Sequence, residues 1–125
     1  AAEAALESGK AWFIGVDSDQ ELTLPADQAA ITLTSGLKNV GKSIIWLFDE
    51  WDAGRTYWGK EVRLGISEGG VGIVIDKNFA KVAPKAVQDA VLAAQADIVA
   101  GKIVVPTAIG DTTNAVVTLR DSLQP

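Results

Sequence analysis

Residues 11–20 have the sequence AWFIGVDSDQ, in which an apolar run ends abruptly in a polar segment. The apolar part is rich in aromatic and β-branched residues, and this composition predicts a buried strand followed by a loop. Asp17 comes directly after the run, so it lies at the carboxyl end of the predicted strand, where open α/β sheets bind ligands. A carboxylate held there can accept two hydrogen bonds from a vicinal diol. A solvated acidic loop is the alternative interpretation.

Strand and helix patterns alternate along the rest of the chain. Apolar residues at helical spacing predict helices, and short β-branched runs predict strands. The predicted helices end at Gly9, extend from about Asn39 to Trp51 and extend from Pro84 to Gly101, and the predicted strands cover residues 11–16, 30–34, 61–67, 71–75, 103–105 and 115–119. We expect a tight turn at 68–70 between two of these strands. The β-β-α-β-β-α-β order predicts an α/β fold with mostly buried, parallel strands.

Lys38 occupies the corresponding place after the second predicted strand, at the start of the first long helix. Its ammonium group can donate to a ligand hydroxyl or balance the charge of Asp17. An exposed lysine beside a helix terminus is the alternative interpretation. Together, Asp17 and Lys38 predict a polar ligand site at the carboxyl ends of two strands.

The composition excludes several classes of function. The chain has 125 residues, with 16 acidic and 11 basic side chains and a formal net charge of -5, which argues against a nucleic-acid partner. It contains no cysteine and no histidine, so thiolate or imidazole catalysis is excluded within it. The segment from Asp17 resembles the opening of a calcium loop, but Leu22 and Gln28 stand where that loop needs a glycine and an acid, so we expect no metal site.

The beginning of the chain indicates a fragment. It opens on AAEAAL, contains no methionine and lacks the basic-then-apolar pattern of a signal peptide, and a helix ends there whose start is missing. We therefore expect the fragment to pair with a companion chain or a copy of itself, or to be less stable than a complete domain.

The segment from Gly36 to Ser43 satisfies the spacing of a phosphate-binding P-loop, two glycines bracketing four residues and then Lys-Ser. On this pattern alone, Lys42 and Ser43 would serve a nucleotide hydrolase. Val40, however, lies in register with the apolar stripe of the predicted helix, which favours a core residue over a phosphate cradle. The nucleotide hydrolase stays as an alternative function.

Four separated stretches carry a family resemblance: FIGVDSDQ at 13–20, LTSGLKNV at 33–40, LGISEGGVG at 64–72 and GKIVVP at 101–106. Together they resemble the C-terminal part of the basic membrane protein family, the nucleoside-binding lipoproteins of bacterial ABC importers related to the purine nucleoside receptor A. The resemblance implies a type I periplasmic-binding-protein fold, with two Rossmann-like lobes of mostly parallel sheet joined by three crossover strands. It also implies that 1–38 belong to the C-terminal lobe, 39–103 to the N-terminal lobe and 104–125 to the return crossing and tail.

The same resemblance implies a function. The protein would be the solute-binding component of an ABC importer, without catalytic residues or cofactor, that holds a nucleoside in the cleft between the lobes. Family members bind the ribose hydroxyls at the positions matching Asp17 and Lys38, and Asp19 and Gln20 would support them. The implied partners are the nucleoside or a related sugar, the membrane permease, and the rest of the same protein or a second copy. The implied location is the periplasmic or extracellular face, with a lipid anchor outside this chain. A sugar- or effector-sensing regulatory domain on the same fold is a third alternative.

Overall fold

The computed structural model describes residues 1–106 and 113–123. A small three-stranded sheet has the strand order β1-β2-β3. The helices are α1 (Ala2–Ser8), α2 (Ala26–Ala30), α3 (Val40–Asp52), α4 (Lys77–Val82), α5 (Lys85–Val99) and α6 (Thr113–Ser122), a 3-10 turn covers Gln20–Leu22, and the strands are β1 (Phe13–Asp17), β2 (Thr32–Lys38) and β3 (Val71–Ile73). The predicted α/β class is therefore confirmed.

The sheet is only partly parallel. β1 and β2 are parallel, with Gly15 opposite Ser35 and Asp17 opposite Leu37. β3 lies antiparallel to β2. The expectation of mostly parallel strands is therefore confirmed for one pair only. The expectation that β1 is buried is wrong, because Ile14 and Val16 are 59% and 62% exposed. The assignment to a two-lobe type I fold stays a prediction.

β2 extends further than the sequence suggests. The glycine at 36 indicates a strand end, but Gly36, Leu37 and Lys38 pair with β3 and remain extended. Lys38 is thus the last residue of a strand and does not begin a helix. The amide of Asn39 donates to the carbonyl of Gly70 at 2.8 Å. Because these backbone groups belong to a sheet, the segment from Gly36 does not form a phosphate-binding loop.

Three predicted strands are wrong. Residues 61–67 contain turns, because the Gly65 carbonyl accepts from the Gly70 amide at 2.9 Å and no hairpin with β3 forms. Residues 103–105 are irregular, since the amide of Ile103 donates back to the end of α5 at the Asp97 carbonyl. Residues 115–119 lie within α6. Short β-branched runs become strands only where a partner strand pairs with them.

The helical predictions are more accurate. Gly9 ends α1 with a φ of 61°, α3 matches its predicted range, and α5 follows Pro84 closely and is succeeded by Gly101. α4 is a helix that the sequence analysis did not predict. Its Asn78 amide donates to the carbonyls of Ala29 and Thr32, at 3.0 and 2.9 Å, and its Phe79 is 4% exposed.

Few side chains are buried in the part of the chain that the structure describes. Those that are lie mainly around β2: Ala2, Thr32, Thr34, Ser35, Val74 and Phe79. The apolar stripe of α3 is exposed, at 60% for Val40, 53% for Ile44 and 60% for Phe48. The expectation that Val40 is a core residue is therefore wrong for this chain. The chain presents 9060 Å² of surface, whereas a folded monomer of 13.1 kDa exposes about 6,400 Å². The excess, about 2,700 Å², is larger than one side of a standard protein interface. In the part of the chain that the structure describes, no helix combines the length and hydrophobicity needed to cross a membrane.

We expect the isolated chain to self-associate through this exposed apolar surface. Phe48→Gln should weaken the association without reducing helix content, because Phe48 packs against little in the free chain. Phe79→Gln is the matched control, and it should instead destabilise the fold by about 3 kcal/mol or more because that ring is buried. Sedimentation equilibrium and circular dichroism at several concentrations measure both effects. A wild-type chain that melts cooperatively as a monomer at every concentration would contradict the expectation.

Candidate functional site

Asp17 and Lys38 lie side by side where β1 and β2 end. Because the two strands are parallel, their carboxyl ends meet at one edge of the sheet, and Lys38 Nζ lies 2.9 Å from Asp17 Oδ1. Each side chain is 65% exposed. The structure therefore brings together the two residues that the sequence analysis singled out, and their role in binding a ligand stays a prediction.

An ion pair this exposed contributes little to folding, about 0–1 kcal/mol. Its atoms keep spare hydrogen-bonding capacity, since an ammonium group has three donors and a carboxylate has about four acceptor sites. The two side chains can therefore stay paired and still bind neutral hydroxyl groups.

The backbone of Asp17 has an unusual conformation. Its φ is 72°, and the amide of Ser18 donates to the carbonyl of Val16 at 2.9 Å, which closes a three-residue turn around it. Such a conformation costs a non-glycine residue about 1–3 kcal/mol and persists only where surrounding contacts enforce it. The turn directs the chain away from β1 immediately after the carboxylate.

Gln20 supplies two of the enforcing contacts. Its backbone amide donates to Ser35 Oγ at 3.1 Å, and its side-chain Nε2 donates to the Val16 carbonyl at 3.0 Å. Ser35 is fully buried. It approaches this closely because Gly15 has no side chain: a Cβ there would lie 2.3 Å from Ser35 Oγ.

Asp19 supplies a further contact. Its Oδ1 accepts from the amide of Glu21 at 3.2 Å and caps the 3-10 turn, while its Oδ2 pairs with Lys77 at the start of α4. The hydrogen bond to Asp19 raises the pKa of the Lys77 ammonium, and the charges of Asp19, Asp76 and Glu21 add to this against an opposing effect of burial. Asp19 and Gln20 therefore support the loop that follows β1.

Three residues of this region escaped the sequence analysis. Gly15 carried a signal, because a glycine inside a strand often marks the close approach of another group. Ser35 lies just beyond the strand predicted at 30–34, and it is instead a fully buried residue of β2. No local pattern singles out Lys77 or indicates its contact with Asp19, which lies 58 residues away.

A second cluster lies where the chain folds back on α3. Arg55 donates two hydrogen bonds to the Glu50 carboxylate, both at 2.5 Å, and the Tyr57 hydroxyl donates to it at 2.8 Å. The Tyr57 ring lies 5.2 Å from that of Trp46. These bonds, from Arg55 first and then Tyr57, lower the pKa of Glu50 to about 2.

An apolar cavity of about 460 Å³ lies beside this cluster, lined by aromatic residues of α3 and of the segment after it. Of its two charged lining residues, Arg55 and Lys60, Arg55 is already paired with Glu50. Neither Asp17 nor Lys38 lines it. We therefore place the candidate site at the sheet edge, where polar groups converge. Among residues 1–106 and 113–123, no group of three or more side chains is suited to bind a metal ion.

The fold and this edge are typical of α/β proteins that bind a small molecule beyond the carboxyl ends of their strands. Comparison with known proteins identifies the class of binding protein more narrowly. The family model for PnrA-like ABC transporter substrate-binding proteins matches residues 1–108, and the chain belongs to this family.

A curated relative supports the same assignment. The ABC transporter nucleoside-binding protein BmpA of Lactococcus lactis subsp. cremoris (strain MG1363) is 33% identical to this chain over 106 residues. The match covers 81% of this chain and 29% of the relative, so the chain spans less than a third of the relative's length.

We expect Gly15→Ala to destabilise the chain by about 1–3 kcal/mol, because the new methyl group displaces Ser35 and breaks its bond to Gln20. Gly41→Ala is the matched control: it lies in α3 with no atom near the added Cβ, and alanine should stabilise that helix by up to about 1 kcal/mol. Urea unfolding at one low protein concentration compares the variants. Equal stability of Gly15→Ala and wild type would show that Ser35 is not held in place.

We expect Glu50 to make stability depend on acid pH. A folded-state pKa lowered from 4.5 to about 2 favours the folded state above pH 4.5, and this contribution is lost as the pH falls from 4.5 towards 2. Glu50→Gln should therefore flatten the stability profile in that window, and Tyr57→Phe should flatten it partly. Urea unfolding across the pH range tests this, and identical slopes in wild type and Glu50→Gln would contradict it.

Proposed function

We propose that this chain is part of the nucleoside-binding receptor of a bacterial ABC importer, and that Asp17 and Lys38 bind the ribose hydroxyls. The observation that carries the proposal is the exposed ion pair at the carboxyl ends of β1 and β2, held on a loop that Gln20 and Asp19 fasten. Family membership and the name of the lactococcal relative support the choice of a nucleoside.

The chemistry of the pair suits a neutral sugar. The vicinal hydroxyl groups of ribose can both donate to the Asp17 carboxylate, while the Lys38 ammonium donates to a sugar oxygen. Hydrogen bonds to charged groups contribute about 1.5–3 kcal/mol each. Because the two charged groups already lie 2.9 Å apart, ligand binding requires little further ordering of their side chains.

The remaining ligand contacts belong to the rest of the binding protein in this proposal. We propose a two-lobe receptor that closes around the nucleoside by a hinge, delivers it to a membrane permease without chemical conversion, and works at the periplasmic or extracellular face with a lipid anchor. Family membership supports each of these assignments.

We further propose that β2 and β3 are the two hinge strands in this chain. They are antiparallel neighbours, and the chain between them contains α3. After β3, the Asn78 side chain of α4 bonds back to Thr32 at the start of β2. These contacts favour a return crossing at 71–76, earlier in the chain than the position near Val104 that the sequence analysis predicted.

The test is calorimetric titration of the full-length receptor with inosine, guanosine, adenosine, ribose and magnesium-ATP. Asp17→Asn removes the charge while keeping a residue that tolerates positive φ, and Lys38→Met removes the ammonium. Each should weaken nucleoside binding by about 10- to 100-fold, the equivalent of one charged hydrogen bond.

The matched controls are Asp49→Asn and Lys42→Met on α3, which should leave nucleoside affinity unchanged. Wild-type affinity in Asp17→Asn would contradict the proposed site. If the receptor binds magnesium-ATP and Lys42→Met abolishes that binding, the alternative function of a nucleotide hydrolase would be favoured. Tight binding of ribose alone would favour a sugar-sensing domain.

A further inference from the structure

We propose that Lys77 is a positioning residue of the nucleoside site, which acts through Asp19 to keep the Asp17 carboxylate aimed at the ribose. The inference rests on the proposed function and assigns that site a residue far along the chain. Lys77 lies at the start of α4, and its Nζ pairs with Asp19 Oδ2 across 58 residues of sequence.

This ion pair differs from the others in the described residues. The Lys77 and Asp19 side chains are 32% and 19% exposed, and it is the only such pair in which both partners are less than one-third exposed. Partial burial reduces screening by solvent, so this pair fixes geometry more firmly than an exposed one. It joins the loop after β1 to the start of α4, the helix that follows β3.

The charges around Lys77 explain why the loop needs it. Residues 17–21 contain three acids, Asp17, Asp19 and Glu21, and Glu21 Oε1 is buried without a hydrogen-bond partner among the described residues. Lys77 lies within reach of the charges of Asp19 and Glu21. Its removal would leave two shielded carboxylates unneutralised and would drive them apart.

Asp17 lies between contacts that this movement would break. Before it, the Val16 carbonyl accepts from Ser18 and from the Gln20 side chain. After it, Asp19 is fixed to Lys77. A φ of 72° at Asp17 relaxes unless both sides are held, so loss of the Lys77 pair should turn the carboxylate away from its place beside Lys38.

The backbone at Lys77 supports a role for its side chain. Its φ is 55°, a conformation that suits glycine better than lysine. Lys77→Gly therefore removes the ammonium group and relieves backbone strain at once. This variant distinguishes a positioning lysine from a purely structural one. If Lys77 positions the site, Lys77→Gly should fold well and still bind the nucleoside poorly.

The experiment measures binding of inosine and of 2′,3′-dideoxyinosine, which lacks both ribose hydroxyls of the proposed contact, to the full-length receptor. We expect Lys77→Met and Lys77→Gly to weaken inosine binding by about tenfold while leaving 2′,3′-dideoxyinosine binding unchanged. Lys77→Arg should restore the wild-type ratio, and Lys81→Met, an exposed lysine of the same helix, should match wild type. An equal loss for both ligands, or no loss for either, would overturn the positioning role.

Amide hydrogen exchange separates this inference from the proposed function. In Lys77→Met, exchange at Ser18 and Gln20 should accelerate, because the bonds of these amides to Val16 and Ser35 open, while Lys81→Met leaves it unchanged. Unchanged exchange in Lys77→Met overturns the inference whatever the receptor binds. If wild-type receptor binds none of the nucleosides, the proposed function fails, and Lys77 then has no nucleoside site to position.

Discussion

The structure of the candidate site depends on the close approach of Ser35 to Gly15. Ser35 is fully buried on β2, and its hydroxyl reaches the Gln20 amide across a position where any Cβ would collide with it. That bond brings the loop after β1 back over the sheet, and the bend falls at Asp17. The Gln20 side chain and the Asp19 carboxylate then fasten the two flanks of the bend. The absence of one side chain thus allows the packing that holds the loop after β1 against the sheet.

Sequence patterns located the elements whose signals are local and repeated. The stripe from Val40 to Trp51 has a clear helical period, and the segment before Asp17 is a continuous apolar run. Both elements formed within two residues of the predicted positions. Residues 61–67 and 103–105 have strand composition, but no neighbouring backbone pairs with them, and composition alone cannot supply a partner. The end of β2 was predicted too early for the converse reason. β3 pairs with Gly36 and keeps it extended.

The same distinction applies to the site. The proximity of Asp17 and Lys38 was predictable because the carboxyl end of a strand is a position that local sequence reveals. The contact of Lys77 with Asp19 was not predictable, because it forms only after β3 returns to the sheet, and nothing in the neighbouring residues indicates the positive φ of Lys77. Contacts between strand ends can be expected from local patterns, whereas contacts between distant segments depend on tertiary structure.

Because Asp17 has a positive φ, the residue that would be most stable at position 17 differs from the residue that the proposed site needs. Glycine is the residue that the backbone there would favour, because it adopts this conformation without strain, and glycine is also the residue that removes the carboxylate. On the proposed function, selection for a more stable chain and selection for ligand binding would therefore act in opposite directions at position 17. An aspartate there costs the fold some stability, and the bonds of Gln20 to Ser35 and Val16 and the pairing of Lys77 with Asp19 hold the residues on either side of it. Attempts to stabilise this protein by directed evolution would face the conflict first at this loop.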